Sequence, residues 1–437
     1  LSLIPLCKPA LTENLQINQL ADHLFRHEAG KMVAVLTRLF GAGNLDLAED
    51  TVQDALIEAL SHWKYEGVPA NPSAWLFRVA KNKALNHINR GKYQRQYASD
   101  VAHYLQSEWT AEPALDHLFS EQEILDDQLR MLFTCCHPAI SPDSQVALAL
   151  KTLCGFSIPE IAKAFLTTEE NIHKRLVRAR QKIRDDQLPF EVPPVRELEE
   201  RISAVLETVY LLFNEGYSAS TGNDLIRYEL CEEAIRLAAI MEEHPAIQNK
   251  PAIYSLLALM QLNASRFKAR QDSEGNLLTL AEQDRSLWDQ ALVQKGMINL
   301  GKSSFGDHIS AYHILATISA CHCTAPGFES TDWKTILSLY DHLLQIDNSP
   351  LVLLNRAIAL SQLSGPEKAL DELQRIKNDP SLRAYHLLYS TEAEFYIRLS
   401  RFNEAVHCLE KAITLSSLEP EKLLLQKKLN SCKEKII

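Results

Sequence analysis

The sequence predicts an all-α fold: two small helical domains, the second a helix-turn-helix, followed by a large domain of helical hairpins. Three observations carry the prediction. Residues 12–90 keep helical periodicity, interrupted only by GAGN at 41–44 and EGVPANPS at 66–73. Asp143 to Arg184 spells two helix starts with a turn between them. From 196 to 437 the chain is helical without strand alternation, and its end repeats itself. The expected boundaries are 12–95, a linker over 96–125, 126–188, and 189–437.

In the first domain the helix LDLAEDTVQDALIEAL places Leu45, Ala48, Val52, Ala55 and Ala59 on one side. Asp46, Asp50, Asp54 and Glu58 stand on another side at four-residue steps. Like charges at that spacing repel by a few tenths of a kcal/mol per pair. Such a ridge implies either a basic partner surface that offsets the repulsion or a solubilising face. The next helical stretch runs NPSAWLFRVAKNKALNHINRGKYQR. From Arg78 to Arg95 it holds Arg78, Lys81, Lys83, Arg90, Lys92 and Arg95 and no acid, with Trp75, Phe77 and Tyr93 interleaved. Aromatic faces in a positive groove are the ingredients of single-strand binding, where each stacked base contributes ~1–3 kcal/mol. Trp75 and Phe77 sit two residues apart, so at least one of them is expected to be core.

Residues 91–142 are less periodic and read as a linker running into the second domain. Cys135, Cys136 and His137 invite a metal reading, as do Cys321, His322 and Cys323. Neighbouring ligands on one helix cannot all point inward, and no second pair lies at a zinc-finger spacing, so no metal and no cofactor is expected. Gly155 is placed as the helix stop. Ser157 with Glu160, and Thr167 with Glu170, are read as two capping boxes. In the last helix Ile172, Leu176, Ala179 and Ile183 make the packing stripe. His173, Lys174, Arg175, Arg178, Arg180, Lys182 and Arg184 occupy the other faces. One packed face and several cationic ones suit a helix that lies in the major groove of DNA.

PFEVPP after Leu188 marks a break, and most of the net charge of −11 lies beyond it. That balance excludes a protein that coats nucleic acid and leaves DNA contact to local patches in the front half. Pro366-Glu-Lys-Ala369 with Leu373 and Ile376 is echoed by Asn403-Glu-Ala405 with Leu409 and Ala412. The offset is close to the ~34-residue tetratricopeptide period. Cys231-Glu-Glu-Ala234 reads as a more degenerate third unit. Asn214, Glu215 and Tyr217 are read as hairpin contacts, since no nucleophile and base stand beside them. Nine unpatterned cysteines indicate reduced thiols. LSLIPLCKPALTEN shows no basic leader, and no apolar run approaches a membrane span, so a soluble, cytoplasmic protein is expected.

AEDTVQDALIEAL, then NPSAWLFRVAKNKALNHINR, then after a spacer NIHKRLVRARQKIR, together resemble the extracytoplasmic-function subfamily of sigma-70-type RNA polymerase sigma factors. The resemblance covers roughly 12–188. It implies that Asp50, Gln53, Asp54 and Glu58 contact core RNA polymerase. It implies that Trp75, Arg78, Lys81, Asn82, Asn86 and Arg90 touch the −10 element. His173, Lys174, Arg175, Arg178 and Lys182 would touch the −35 element. Where family members often carry Lys-Ser, this chain has His173-Lys174, which bears on the promoter sequence that is read. Tyr210 to Ala219 looks like the start of the extension in a subgroup with a tetratricopeptide-like C-terminal domain, thought to regulate or support the sigma activity.

The leading expectation is therefore a sigma factor, with core polymerase and promoter DNA as partners and a protein or peptide partner for the repeats. The alternative is a helix-turn-helix regulator that binds duplex DNA without polymerase, joined to a peptide-binding scaffold. No enzyme is expected, since the chain has no phosphate loop, no H-E-x-x-H and no G-x-S-x-G.

Overall fold

The computed structural model describes residues 28–89, 120–165, 167–217, 226–248, 250–306, 308–380 and 382–436. Among them there is no β-strand beyond one isolated antiparallel bridge between Gln271 and Leu277. The all-α prediction holds. The chain divides into two compact units, Leu1–Leu211 and Leu212–Ile437.

In the first unit α1 (28–40) is buried on most of its surface, with Met32, Ala34, Val35, Leu36 and Leu39 fully buried and only Glu28, Lys31 and Arg38 charged. A helix of that kind belongs in an interior. Gly30 shows how closely it is held. A Cβ there would lie 2.0 Å from the Leu153 carbonyl oxygen, so only glycine fits. GAGN breaks the chain as expected: Gly41 has φ 86°, and Ala42–Asn44 forms a single 3-10 turn. Next, α2 (Leu45–Glu66) buries Leu45, Ala48, Val52, Ala55, Ala59 and Trp63, the predicted stripe plus one indole. Pro72 opens α3 (Pro72–Asn89), whose first turn is closed by Asn71 Oδ1 accepting from Ala74 N at 3.0 Å.

α4 (Glu121–Cys135) begins inside the stretch read as linker. It leads to α5 (Pro142–Thr152), the turn at Gly155 with φ 68°, α6 (Ile158–Ala164) and α7 (Glu169–Asp185). The Ser157–Glu160 capping box is present, with Ser157 N donating to Glu160 Oε2 at 2.8 Å. The second box is not as predicted. The N-cap of α7 is Thr168, whose hydroxyl accepts from Asn171 N at 3.2 Å. Thr167 instead accepts from the Asn171 side chain at 2.6 Å, and Glu170 pairs with Lys174. The helix starts one residue later than T-x-x-E implied, because the second threonine takes the extended backbone that a cap needs. Ile172, Leu176, Ala179 and Ile183 form the buried stripe as expected.

α8 (Val195–Tyr217) follows the proline break. Its first half closes the unit: buried Arg201 donates to Phe133 O at 2.6 Å, and Thr208 donates to Gln145 Oε1 at 3.2 Å.

Among the described residues the second unit runs from the last turns of α8 through ten further helices, each packed on its neighbours in succession. They are α9 (Tyr228–Glu243), α10 (Pro251–Ala264), α11 (Gln290–Ser303), α12 (Ala311–Thr324), α13 (Trp333–Ile346), α14 (Pro350–Ser364), α15 (Pro366–Ile376), α16 (His386–Arg398), α17 (Phe402–Leu415) and α18 (Glu419–Glu434). Ala357, Ala369, Ala393, Ala405 and Ala412 are fully buried, small residues among the Leu and Phe side chains of one shared core. Charges are also taken inside. Arg356 grips both carboxylate oxygens of Glu372 at 2.7 and 2.6 Å, and Lys377 pairs with buried Glu392 at 2.5 Å. Glu215 binds Arg227 at 2.7 Å, and the Tyr217 hydroxyl accepts from Arg266 at 2.8 Å, contacts that tie the end of α8 to the start of α9 and to the turn after α10.

Candidate nucleic-acid interface

Burying its alanine stripe leaves α2 with an outward face. Asp50, Gln53, Asp54 and Glu58 all lie on it and are exposed. Two apolar side chains share the face, Ile57 at 54% and Tyr65 at 85% exposure. Sequence reasoning missed them, although both fall off the buried stripe of the same helix, which is the available signal. Two exposed apolar side chains among the carboxylates set this face apart from a uniformly charged one. Glu58 is half-engaged already, held by Lys83 of α3 at 2.8 Å.

The ridge does not continue to its N-terminal end. Asp46, placed on it by spacing, is bound by Arg180 and Arg184 of α7, each at 3.0 Å. Neighbouring Glu49 takes Arg180 at 2.5 Å. Burial pushes the Glu49 carboxyl up from its ordinary value, and Arg180 and Lys151 pull it back only in part.

On α3, Arg78, Asn82 and Asn86 recur at four-residue steps and are exposed. Lys81 is half-buried. Trp75 is half-buried too, stacked on His62 at 5.4 Å and edge-on to Trp63 at 5.6 Å. Trp63 is the core indole of the pair, and Trp75 rides on it with part of its ring free. Phe77 is half-buried. Arg90 and Tyr93 lie outside the described residues.

On α7 the cations divide. His173, Lys174, Arg178 and Lys182 are exposed, and Arg175 is half-buried against Asp143 at 3.2 Å. Lys174 and Lys182 pair with Glu170 and Asp186 four residues away, both at 2.7 Å. Exposed pairs of that spacing contribute only ~0.3–0.5 kcal/mol, so a phosphate displaces them readily. Arg180 and Arg184, which sequence reasoning left on the same cationic surface, turn to α2 instead.

The cysteine-histidine runs are used for packing. Cys135 and Cys136 are fully buried, and burial pushes the Cys136 thiol up to about 12 and Cys135 higher still. The His322 ring is pushed down to about 4 by burial and by Arg266 and Arg285. Among the described residues no three ligating side chains come together around a metal-sized space. None of the described helices is long and apolar enough to cross a membrane.

Three stretches of the chain match known family models. Residues 24–94 match the family model for Sigma-70 region 2, and residues 130–183 that for Sigma-70 region 4. Residues 201–304 match a family of unknown function, DUF6596. An uncharacterized protein of Rhizobium meliloti is 35% identical over 388 residues, covering 89% of this chain and 90% of the relative. ECF RNA polymerase sigma-E factors of Escherichia coli K12 and Salmonella typhimurium LT2 are each 25% identical over 154 residues, 35% of this chain and 78% of theirs. No solved structure matches the chain.

Proposed function

We propose that this chain, which belongs to the same family as its Rhizobium meliloti relative and carries Sigma-70 regions 2 and 4, works as an RNA polymerase sigma factor whose surfaces divide the work. Residues 12–95 act as region 2 and 126–188 as region 4, joined by a linker over 96–125. The factor is of the extracytoplasmic-function type and works in the cytoplasm. Asp50, Gln53, Asp54 and Glu58, with Ile57 and Tyr65 beside them, dock on a basic surface of core polymerase. Trp75, Arg78, Lys81, Asn82, Asn86 and Arg90 capture the −10 strand, with Trp75 offering one partly free ring for a base to stack on. His173, Lys174, Arg175, Arg178 and Lys182 meet the −35 duplex through the exposed half of α7. Residues 189–437 form a tetratricopeptide-like extension that regulates the factor through a protein or peptide partner.

The observation that carries this reading is the bare acidic-apolar strip on α2, set in the same unit as an exposed cationic helix of a helix-turn-helix. A duplex-binding regulator that works without polymerase has no use for the strip. The test is transcription from a promoter library by core polymerase with the purified full chain added. Specific transcripts are expected. Absence of both core binding and transcription would overturn the assignment.

A further inference from the structure

In the second unit three arginines gather without an acid. Arg266 and Arg270 flank a 3-10 turn after α10, and Arg285 opens another before α11. Every acceptor they hold is neutral. Arg266 donates to the Tyr217 hydroxyl at 2.8 Å and to Asn263 Oδ1 at 2.6 Å, and Arg270 donates to the Tyr217 carbonyl. Arg285 donates to the carbonyls of His322 and Ala325 at 2.5 and 2.6 Å. Among the described residues no carboxylate pairs with any of the three. Burial holds Arg270 and Arg285 below the ordinary guanidinium value, and the nearby charge of Arg266 adds to the effect on both.

Two of these cations share one indole. Arg285 lies 4.7 Å and Arg266 6.0 Å from the centre of the Trp288 ring. Trp288 is 3% exposed, and its Nε1 finds no acceptor among the described residues. Arg266 Nε and Arg285 Nη2 are buried and equally unengaged. Buried donors are normally satisfied, so three unmet N–H groups around one ring, two of them on cations, mark a place suited to an oxyanion.

The cluster meets a cavity at His322. Arg285 holds the His322 carbonyl, and the His322 ring, edge-on to Trp333 at 5.4 Å, forms part of the wall of a cavity of about 690 Å³. Burial, with Arg266 and Arg285 nearby, pushes that ring down to about 4, so it is neutral at physiological pH, and its Nδ1 is buried without a partner among the described residues. Phe328, Trp333, Ile336, Tyr340, Ile358 and Phe395 make much of the remaining wall apolar. Two carboxylates of the wall are already engaged, Glu394 by Lys428 at 2.6 Å and Glu421 by His386 at 2.8 Å, while Glu329 stands exposed. Roughly 300–1,000 Å³ is the size of a small-molecule site.

We propose that the second unit carries a binding site for a small organic oxyanion, a carboxylate or phosphate monoester, whose head is held by Arg266, Arg285, Trp288 and His322 and whose apolar body fills the cavity beside them. The site is independent of the polymerase reading and of the protein or peptide partner proposed for the extension. Charge selects the occupant. A neutral apolar molecule leaves the arginines uncompensated, and a cation is repelled by them. A ligand in the cavity touches α12, α13, α14 and α16 together, so binding stabilises the stack they form.

The test uses the full chain and four probes of one shape: 2-naphthoate, 2-naphthyl phosphate, 2-naphthol and 2-naphthylmethylammonium. Calorimetry reads their affinity, and the rise in melting temperature reads the stabilisation. At least one anion should bind about tenfold more tightly than naphthol, with the ammonium weakest. Which anion binds better tells whether the head is a carboxylate or a phosphate. Arg285→Gln should remove the preference for the anion and leave naphthol unchanged, whereas Thr391→Trp, which narrows the cavity from its wall, should weaken both. Arg285→Lys keeps the charge without the fork and should fall between parent and Arg285→Gln, which preserves the comparison if the glutamine form melts early. Equal binding of naphthol and both anions by the parent would overturn the oxyanion head. Absence of binding by every probe up to about 1 mM would overturn the site. An anion preference untouched by Arg285→Gln, or an affinity untouched by Thr391→Trp, would place the binding elsewhere and overturn it as well.

Discussion

The two units use charge in opposite ways. In the first, the side chains assigned to function stand on open helix faces: Asp50 and Asp54 on α2, Arg78 on α3, His173 and Arg178 on α7. In the second, buried carboxylates are drawn into the helix stack, where Arg356 meets Glu372 and Lys377 meets Glu392. The difference teaches where substitution should be felt. Interior pairs hold the fold together, and open ones are those proposed to meet a partner.

The largest effect is expected inside the second unit. Lys377→Met leaves Glu392 buried without its cation and should cost ~3–5 kcal/mol, read as a shift in urea midpoint at constant slope. A loss below ~1 kcal/mol would mean that the pair is as dispensable as a surface one, and the comparison would collapse.

Next comes a deeply buried acid of the first unit that breaks the pattern, Asp127. Burial pushes Asp127 up to about 7 from 3.8, with Arg38 and Arg130 opposing. The folded chain then holds a proton that the unfolded chain has released. Stability should fall as pH rises from about 4 to about 7 and level off above, with a slope of at most ~1.4 kcal/mol per pH unit. Asp127→Asn should flatten that region of the profile. An unchanged slope would assign it to other groups.

On the open faces the expected effects are on binding. Arg178→Ala should cost ~1–3 kcal/mol in promoter discrimination if it reads a base edge, whereas Lys174→Ala should weaken all sequences alike and lower the salt slope by about 1. Asp50→Lys with Asp54→Lys should abolish core binding while moving stability by less than ~0.5 kcal/mol, checked by pull-down and thermal melting. A large drop in melting temperature would show that the α2 strip is structural after all.

The stripe of α7 and the inward alanines of α2 were legible because burial on one face of a helix writes a 3.6-residue period into the sequence. The helix start at Thr168 was misread because two adjacent threonines each precede a polar residue by three, and the choice between them is made by backbone geometry. Ile57 and Tyr65 were visible as departures from a stripe, yet an exposed apolar residue carries no mark until its neighbours are placed. The fate of Arg180 could not be read at all. Periodicity says which face of a helix a residue occupies, and nothing in it says that Asp46 and Glu49, more than 130 residues earlier, stand opposite.

The stacked pair of His62 and Trp75 has an optical consequence. Its rings lie 5.4 Å apart and 23° from parallel, on the face assigned to the −10 strand. An indole clasped by an imidazole and partly open to solvent emits according to what touches its free side. Trp63, sealed beneath it, is shielded from the same event. Steady-state emission of Trp75 therefore gives the chain a built-in gauge of strand capture, readable without a dye and lost on Trp75→Phe.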